Sequence, residues 1–367
     1  MEHFDRTLRD SVAQKDRIPG VQAPLRRFFA RELDLLCCSA AWGAFLALVC
    51  GVGVRSGGWL LWASNVAVPL MLMLLFEPLL LHLSGTTPGK WVLGLRVTDP
   101  EGGLLSFSDA LSRTGRVIVS GMGLEIFPFS LIRRWKSCRT CDEGKELPWE
   151  KNSMLSLRDE KPFRAAAYVF LGAAILGLLF FFVAEAGMPR HMGELTVAQF
   201  GDNFNRLARF YGFDFSYGGF KAVLDENGLW TKKNGEGTAY LPDTAIGDSV
   251  PTLVFREDGR GVSEVSFRYE SSGLVPSDCR REMEITVLSF ACARKGFGLF
   301  SKGRKELLSA IETHPFESFE YSHGGITVRC AVDYSGYFLI GGRALVSDDR
   351  AGEKRNCTVA FSVGRTE

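Results

Sequence analysis

The chain has 367 residues, with 43 basic against 42 acidic side chains and a formal net charge of +1. So even a balance lacks the cationic surplus on which phosphate-backbone binding rests, which excludes a nucleic-acid partner. These averages would suit a soluble two-domain enzyme, but the apolar residues are concentrated in the first half, in runs too long and too free of charge for that class.

Residues 1–33 are polar, basic and helix-permissive, without the short apolar core and small-residue cleavage site of a removable signal peptide. Two uncharged runs follow, 35–54 and 56–76, separated by Arg55. Each reaches the roughly 20 residues that a bilayer crossing needs, so together they predict a membrane hairpin. Fixed charge stands at its entrance in Arg26-Arg27-Phe28-Phe29-Ala30-Arg31-Glu32-Leu33-Asp34. Arg31 and Asp34 are three apart and share a helical face, so Asp34 is either neutralised by Arg31 or free to handle an ion at the mouth of the span. Glu77 closes the second run beside Pro78, and His82 follows five residues later.

The next stretch is Gly85-Thr86-Thr87-Pro88-Gly89-Lys90-Trp91-Val92-Leu93-Gly94-Leu95-Arg96-Val97. A Walker A loop has four residues between its glycines and Ser or Thr after the lysine. Here three intervene and Trp91 follows, so a phosphate loop is excluded. The expected local structure is a turn, a short amphipathic segment anchored at the membrane interface by Lys90 and Trp91, and a second turn at 100–103.

Arg27-x-x-Ala30-Arg31-x-x-Asp34 and Thr87-Pro88-Gly89-Lys90-x-x-x-Gly94-x-x-Val97 together resemble the RDD family of bacterial membrane proteins, over about residues 20–160. That family is named for an arginine before its first helix, an aspartate within it and a further aspartate downstream. Where the last would fall, in Leu147-Pro148-Trp149-Glu150-Lys151, this chain offers Glu150, after a cysteine-containing insertion. The resemblance implies a multi-spanning protein of the bacterial inner membrane, loosely associated with transport and, in some members, with sodium–proton exchange.

The run 117–132 is shorter, interrupted by Glu125 and Pro128 and closed by Arg133 and Arg134. It fits a thin span, a re-entrant segment or an interfacial helix. An aspartate at the centre of a membrane helix costs about 2.5 to 3.5 kcal/mol on insertion scales, and acids at that depth face protein or water. Glu77 and Glu125 are accordingly expected either to snorkel or pair with Lys90, Arg133 or Arg134, or to line an ion path. Cys138-x-x-Cys141 has the spacing of half a zinc ribbon without its other half, so no intramolecular metal site is expected; incidental thiols, a redox pair and a metal shared across a dimer stay open. No cofactor is implied.

A third span is expected at 165–184, preceded by Lys161 and Arg164. Arg6, Arg9, Lys15, Arg17, Arg26, Arg27 and Arg31 precede the first run, against Arg55 alone after it, which predicts a cytoplasmic amino terminus. The basic loops on both sides of 117–132 predict a segment that enters and returns. Three crossings then put the rest outside. The expected organisation is a basic cytoplasmic segment at 1–33, an α-helical membrane domain at 34–186 and an extracytoplasmic domain at 187–367.

That last region is expected to be α+β, an antiparallel sheet covered by helices. Helices are predicted at 196–211, capped by Thr196, and at 280–293 and 304–313. Strands are predicted at 252–256 and 263–269 around the Asp258-Gly259 turn, then at 325–333, 337–344 and 357–363. The aromatic run 210–220 is either core and turn or an exposed recognition surface. Cys279, Cys292, Cys330 and Cys357 fit a disulfide framework in an oxidising compartment, with four buried thiols as the alternative. A helix between Cys279 and Cys292 would hold them on the order of 18 to 20 Å apart, at about 1.5 Å per residue, which disfavours that pairing. His314 and His323 lack ligand spacing and no nucleophile elbow occurs, so no enzyme is expected. Asn356-Cys357-Thr358 is a glycosylation sequon that matters only in a eukaryotic secretory pathway.

Two function classes follow. One is a transport-related protein in which Asp34, Glu77 and their neighbours handle an ion, its few spans requiring an oligomer or a membrane partner. The other is a sensor or scaffold that anchors an extracytoplasmic binding domain in the bilayer.

Overall fold

The computed structural model describes residues 23–53, 57–158, 161–217, 220–232, 244–245, 248–294, 296–313, 315–348 and 354–366. Arg55, His314 and the basic residues before position 23 lie outside these. The chain divides into two compact units, residues 1–45 with 58–181 and residues 46–57 with 182–367.

Helix α1 (Pro24–Phe45) begins well before the apolar run and is extended by a π-helical turn, Leu46–Cys50. Pro24 suits a helix start, where its missing N–H has no partner to lose, and the Arg and Glu residues behind it are good helix formers. Arg27 and Arg31 therefore belong to the first spanning helix and not to a preceding segment. Helix α2 (Trp59–Ser84) runs on through Glu77 and Pro78 to Gly85, whose φ of 70° forms a left-handed cap and whose N–H donates to the Leu81 carbonyl. The single turn α3 (Pro88–Val92) has Thr87 as its N-cap. β1 (Leu95–Thr98) pairs antiparallel with β2 (Met154–Leu157).

Helix α4 (Phe107–Arg116), capped by Ser106, passes into a π-helical turn, Val117–Gly121. The segment 117–132 is then broken: Gly123, Leu124 and Glu125 all have φ near +60°, and the chain restarts as α5 (Phe129–Asp142). Cys138 and Cys141 thus lie on a helix and not in a loop, with Cys141 packed in a cluster that includes Met73, Met122 and Trp149. Helix α6 (Phe163–Ala186) is the third long apolar helix. With Pro24–Cys50 and Trp59–Ser84 it completes three helices able to cross a membrane by length and composition.

The second unit opens with α7 (Val197–Tyr211). Its start is fixed by a reciprocal capping box between Thr196 and Gln199, and its end by Gly212 at φ 72°. β3 (Ser216–Tyr217), β4 (Phe220–Leu224) and β5 (Trp230–Lys232) form a small antiparallel sheet. The main sheet comprises β6 (Thr244–Ala245), β7 (Asp248–Ser249), β8 (Thr252–Asp258), β9 (Gly261–Ser271), β10 (Phe319–His323), β11 (Ile326–Ser335) and, after the hairpin of β12 (Tyr337–Ile340) and β13 (Ala344–Ser347), β14 (Asn356–Arg365). Its order is β10-β11-β14-β9-β7-β6, with β8 also paired to β9. The expected strand at 337–344 instead reverses at Gly341 and Gly342, whose φ values of 59° and 69° suit glycine. Val265, Phe267 and Tyr269 of β9 and Val359, Phe361 and Val363 of β14 point into one core with α7, α8 (Arg280–Phe290) and α9 (Lys302–Thr313). The aromatic run supplies core and turn: Phe210 and Phe215 are buried, and the Phe215 ring lies 5.5 Å from that of Trp230.

No disulfide joins the described cysteines, so the expected framework is absent from this structure. Cys279, Cys292, Cys330 and Cys357 instead pack as small apolar side chains in the core of the second unit. Burial pushes the Cys292 and Cys330 thiols up to about 11, which suppresses the thiolate that disulfide exchange requires.

Candidate functional site

The TPGK loop is positioned by α2, whose glycine cap turns the chain sharply, and by the one-turn α3, which lies against α1. Gly89 makes that approach possible, because a Cβ there would stand 2.0 Å from the Ala30 carbonyl oxygen. The loop then clamps Asp34 from one side. Asp34 Oδ1 accepts from the Gly89 N–H at 2.7 Å, and Oδ2 accepts from Thr87 Oγ1 at 2.5 Å and from Lys90 Nζ at 3.2 Å. Lys90 is therefore not an interfacial anchor. Its ammonium also donates to Glu77 Oε1 at 2.8 Å and to Thr87 Oγ1 at 3.1 Å, which uses all three of its hydrogens.

From α4, Arg113 Nη1 reaches the same Glu77 oxygen at 3.5 Å. Asp34, Glu77, Lys90 and Arg113 are 6, 4, 7 and 7% exposed, so two buried carboxylates face two buried cations. Such charges persist in a low-dielectric interior only when paired. Burial pushes the Arg113 guanidinium below its ordinary value, with the Glu77 charge pulling the other way. The pairing is incomplete at two atoms: Glu77 Oε2 and Arg113 Nε are buried without a hydrogen-bond partner. Asp34 and Glu77 also line a cavity of about 220 Å³, walled by Cys37, Cys38 and apolar side chains of α2.

The other predicted residues do not enter this hydrogen-bonded cluster, although the Arg31 charge lies within electrostatic reach of Glu77. Arg27 pairs with Glu150, and Glu125 with Arg134, which also reaches Glu32 at 2.9 Å. Arg31 does not neutralise Asp34; its guanidinium sits over the Trp149 ring, 5.3 Å from the centroid. Gly94, at φ 73°, lies beneath Arg164, which donates to the Trp91 and Val92 carbonyls at 2.8 and 2.9 Å and so ties α3 to the start of α6. His82 Nδ1 is 2.8 Å from the Leu105 carbonyl oxygen.

Reading the sequence alone missed Arg113 as a member of the site. Its only local signal is the Ser106-x-x-Asp109 helix start, which places an arginine late on an amphipathic helix without showing where that helix docks. Trp149 carried no signal of its own beyond its place beside Glu150.

The comparison with curated proteins and that with solved structures find no match. The comparison with family models finds one, covering residues 21–192 and so extending past the third spanning helix. That stretch, which holds all three apolar helices and the Asp34–Lys90–Glu77 cluster, matches the model of the RDD family, a family of membrane proteins.

Proposed function

We propose that the protein handles a small cation, sodium or a proton, at the Asp34–Lys90–Glu77 cluster as part of transport across the bacterial inner membrane. The supporting observation is Glu77 Oε2, a buried carboxylate oxygen without a donor, in a residue that lines a cavity together with Asp34. Lys90 serves there as a built-in counter-cation. A solute cation that reaches the two carboxylates competes with its ammonium, and displacement of Lys90 from them couples the two charges. Three spanning helices are too few to enclose a path in one subunit, so transport requires an oligomer or a membrane partner. No enzymatic step is assigned to either unit.

Sodium- and proton-driven pH change in proteoliposomes tests this function. Wild-type flux that falls at least tenfold in Asp34→Asn and Glu77→Gln, with both variants inserted and folded, supports it; absence of flux in the wild type counts against both ions. The arginine asymmetry supports a cytoplasmic amino terminus and an extracytoplasmic region from 187 onward. Reporter fusions after Ile132 and Ala186 should then read inside and outside, respectively. An inside reading after Ala186 would move the second unit to the cytoplasm.

The alternative is a static anchor, a sensor or scaffold that presents the second unit. The full hydrogen-bond complement of Lys90 favours it, because a saturated ammonium holds α1, α2 and α3 together without any bound ion.

A further inference from the structure

A different cavity, of about 350 Å³, opens between α1 and α5. Its lining includes three arginines, Arg27, Arg31 and Arg134, and no carboxylate. Two of these are engaged: Arg27 by Glu150, and Arg134 by Glu32 and Glu125. Arg31 differs. The carboxylate three residues along its own helix, Asp34, is held by Thr87, Gly89 and Lys90, and Glu77 is held by Lys90 and Arg113. Among the described residues no carboxylate forms an ion pair with Arg31, whose charge rests on the face of Trp149. A guanidinium held over an aromatic ring by its charge keeps N–H groups available for a planar or tetrahedral oxyanion.

The mouth of the cavity has the opposite character. Leu131 and Trp135 line it and are 57% and 66% exposed. A cationic wall with an aromatic and apolar mouth, in a helix pair entering a membrane, matches an amphiphile with an anionic head. Tryptophan favours headgroup depth, and basic pockets between membrane helices suit phosphate headgroups.

We propose that this cavity binds the phosphate headgroup of an anionic phospholipid, with Arg31 as its principal donor and Trp135 flanking the acyl chain. This cavity shares no lining residue with the one beside Asp34 and Glu77, although the Arg31 charge lies within electrostatic reach of Glu77, and lipid binding here does not depend on any transport activity.

The test uses the full chain purified in neutral detergent, with phosphatidylglycerol, phosphatidylcholine of the same acyl chains and inorganic phosphate as probes, read by native mass spectrometry and thermal stabilisation. Phosphatidylglycerol should bind about fivefold or more tighter than phosphatidylcholine, as a basic residue worth about 1 kcal/mol implies. Arg31→Gln should abolish that preference and Arg31→Lys keep part of it. Trp135→Ala, at an exposed position, should weaken phosphatidylglycerol without lowering the melting temperature of the lipid-free protein, and it carries the test if Arg31→Gln does not fold. Equal binding of the two lipids, or an undiminished preference in folded Arg31→Gln, overturns the proposal. Displacement of phosphatidylglycerol by inorganic phosphate at matched concentration also overturns the lipid assignment, since it makes free phosphate the ligand of the same arginine.

Discussion

Lys90→Met should destabilise the protein by about 3–5 kcal/mol, the usual consequence of removing one partner from a buried ion pair. Methionine nearly matches lysine in length and shape, so packing is largely kept and the change isolates the charge. Without the ammonium, Asp34 retains only the Thr87 hydroxyl and the Gly89 N–H, and Glu77 retains only the long contact to Arg113 at 3.5 Å. Two carboxylates are then buried against one cation. Adding Glu77→Gln removes the surplus negative charge, so the double variant should recover part of the loss. The measurement is the unfolding midpoint of the purified full chain in detergent, for both single variants and the double. A loss below about 1 kcal/mol in Lys90→Met would mean that water reaches the cluster and screens it as at an exposed surface. Failure of Glu77→Gln to restore stability would place the cost in packing instead of charge.

What the sequence revealed of this fold follows the range of the interactions involved. Three spanning helices were legible because burial in lipid needs only a long uncharged run, a local property. Their ends were not. Arg27 and Arg31 read as a boundary because charge interrupts hydropathy, yet they sit in helical turns of α1 whose charges find Glu150 and Trp149. Glu77 and Pro78 likewise read as a stop, but Lys90 satisfies Glu77 from outside the helix, so α2 continues to Ser84. In the second unit, α7 and the β8–β9 hairpin were legible from the Thr196 cap and an Asp-Gly turn, both local signals. The β1–β2 pairing was missed because it joins residues 56 to 62 positions apart through two four-residue strands. The site shows the same division. Arg31 and Asp34 are neighbours on a helix face, and local spacing favours their pairing. A loop more than 50 residues away supplies Asp34 with three donors instead, and only the likeness of the TPGK stretch to a family motif signalled its importance.

Gly89→Ala should be nearly as damaging as loss of the lysine, for a purely steric reason. The added Cβ would stand 2.0 Å from the Ala30 oxygen and 2.9 Å from its carbonyl carbon, both backbone atoms of α1 that no rotamer change can clear. Ordinary carbon–oxygen contacts lie at about 3.3–3.6 Å, so α3 must withdraw from α1 by more than an ångström. That withdrawal stretches the Gly89 N–H to Asp34 bond beyond hydrogen-bonding range and pulls Thr87 and Lys90 away with it. Overpacking costs about 1–3 kcal/mol, and each weakened hydrogen bond to a charged group up to about 1.5–3 kcal/mol, so a net loss of about 3 kcal/mol or more is expected. Gly115→Ala is the matched control: it lies in α4 with nothing within 4 Å of the new Cβ, and helix propensity favours alanine there by about 0.5–1 kcal/mol. Unfolding midpoints of the two variants in detergent should therefore move in opposite directions. If Gly89→Ala is as stable as the wild type, α1 and α3 do not approach backbone to backbone, and the clamp on Asp34 cannot have the geometry that both functions of the cluster require.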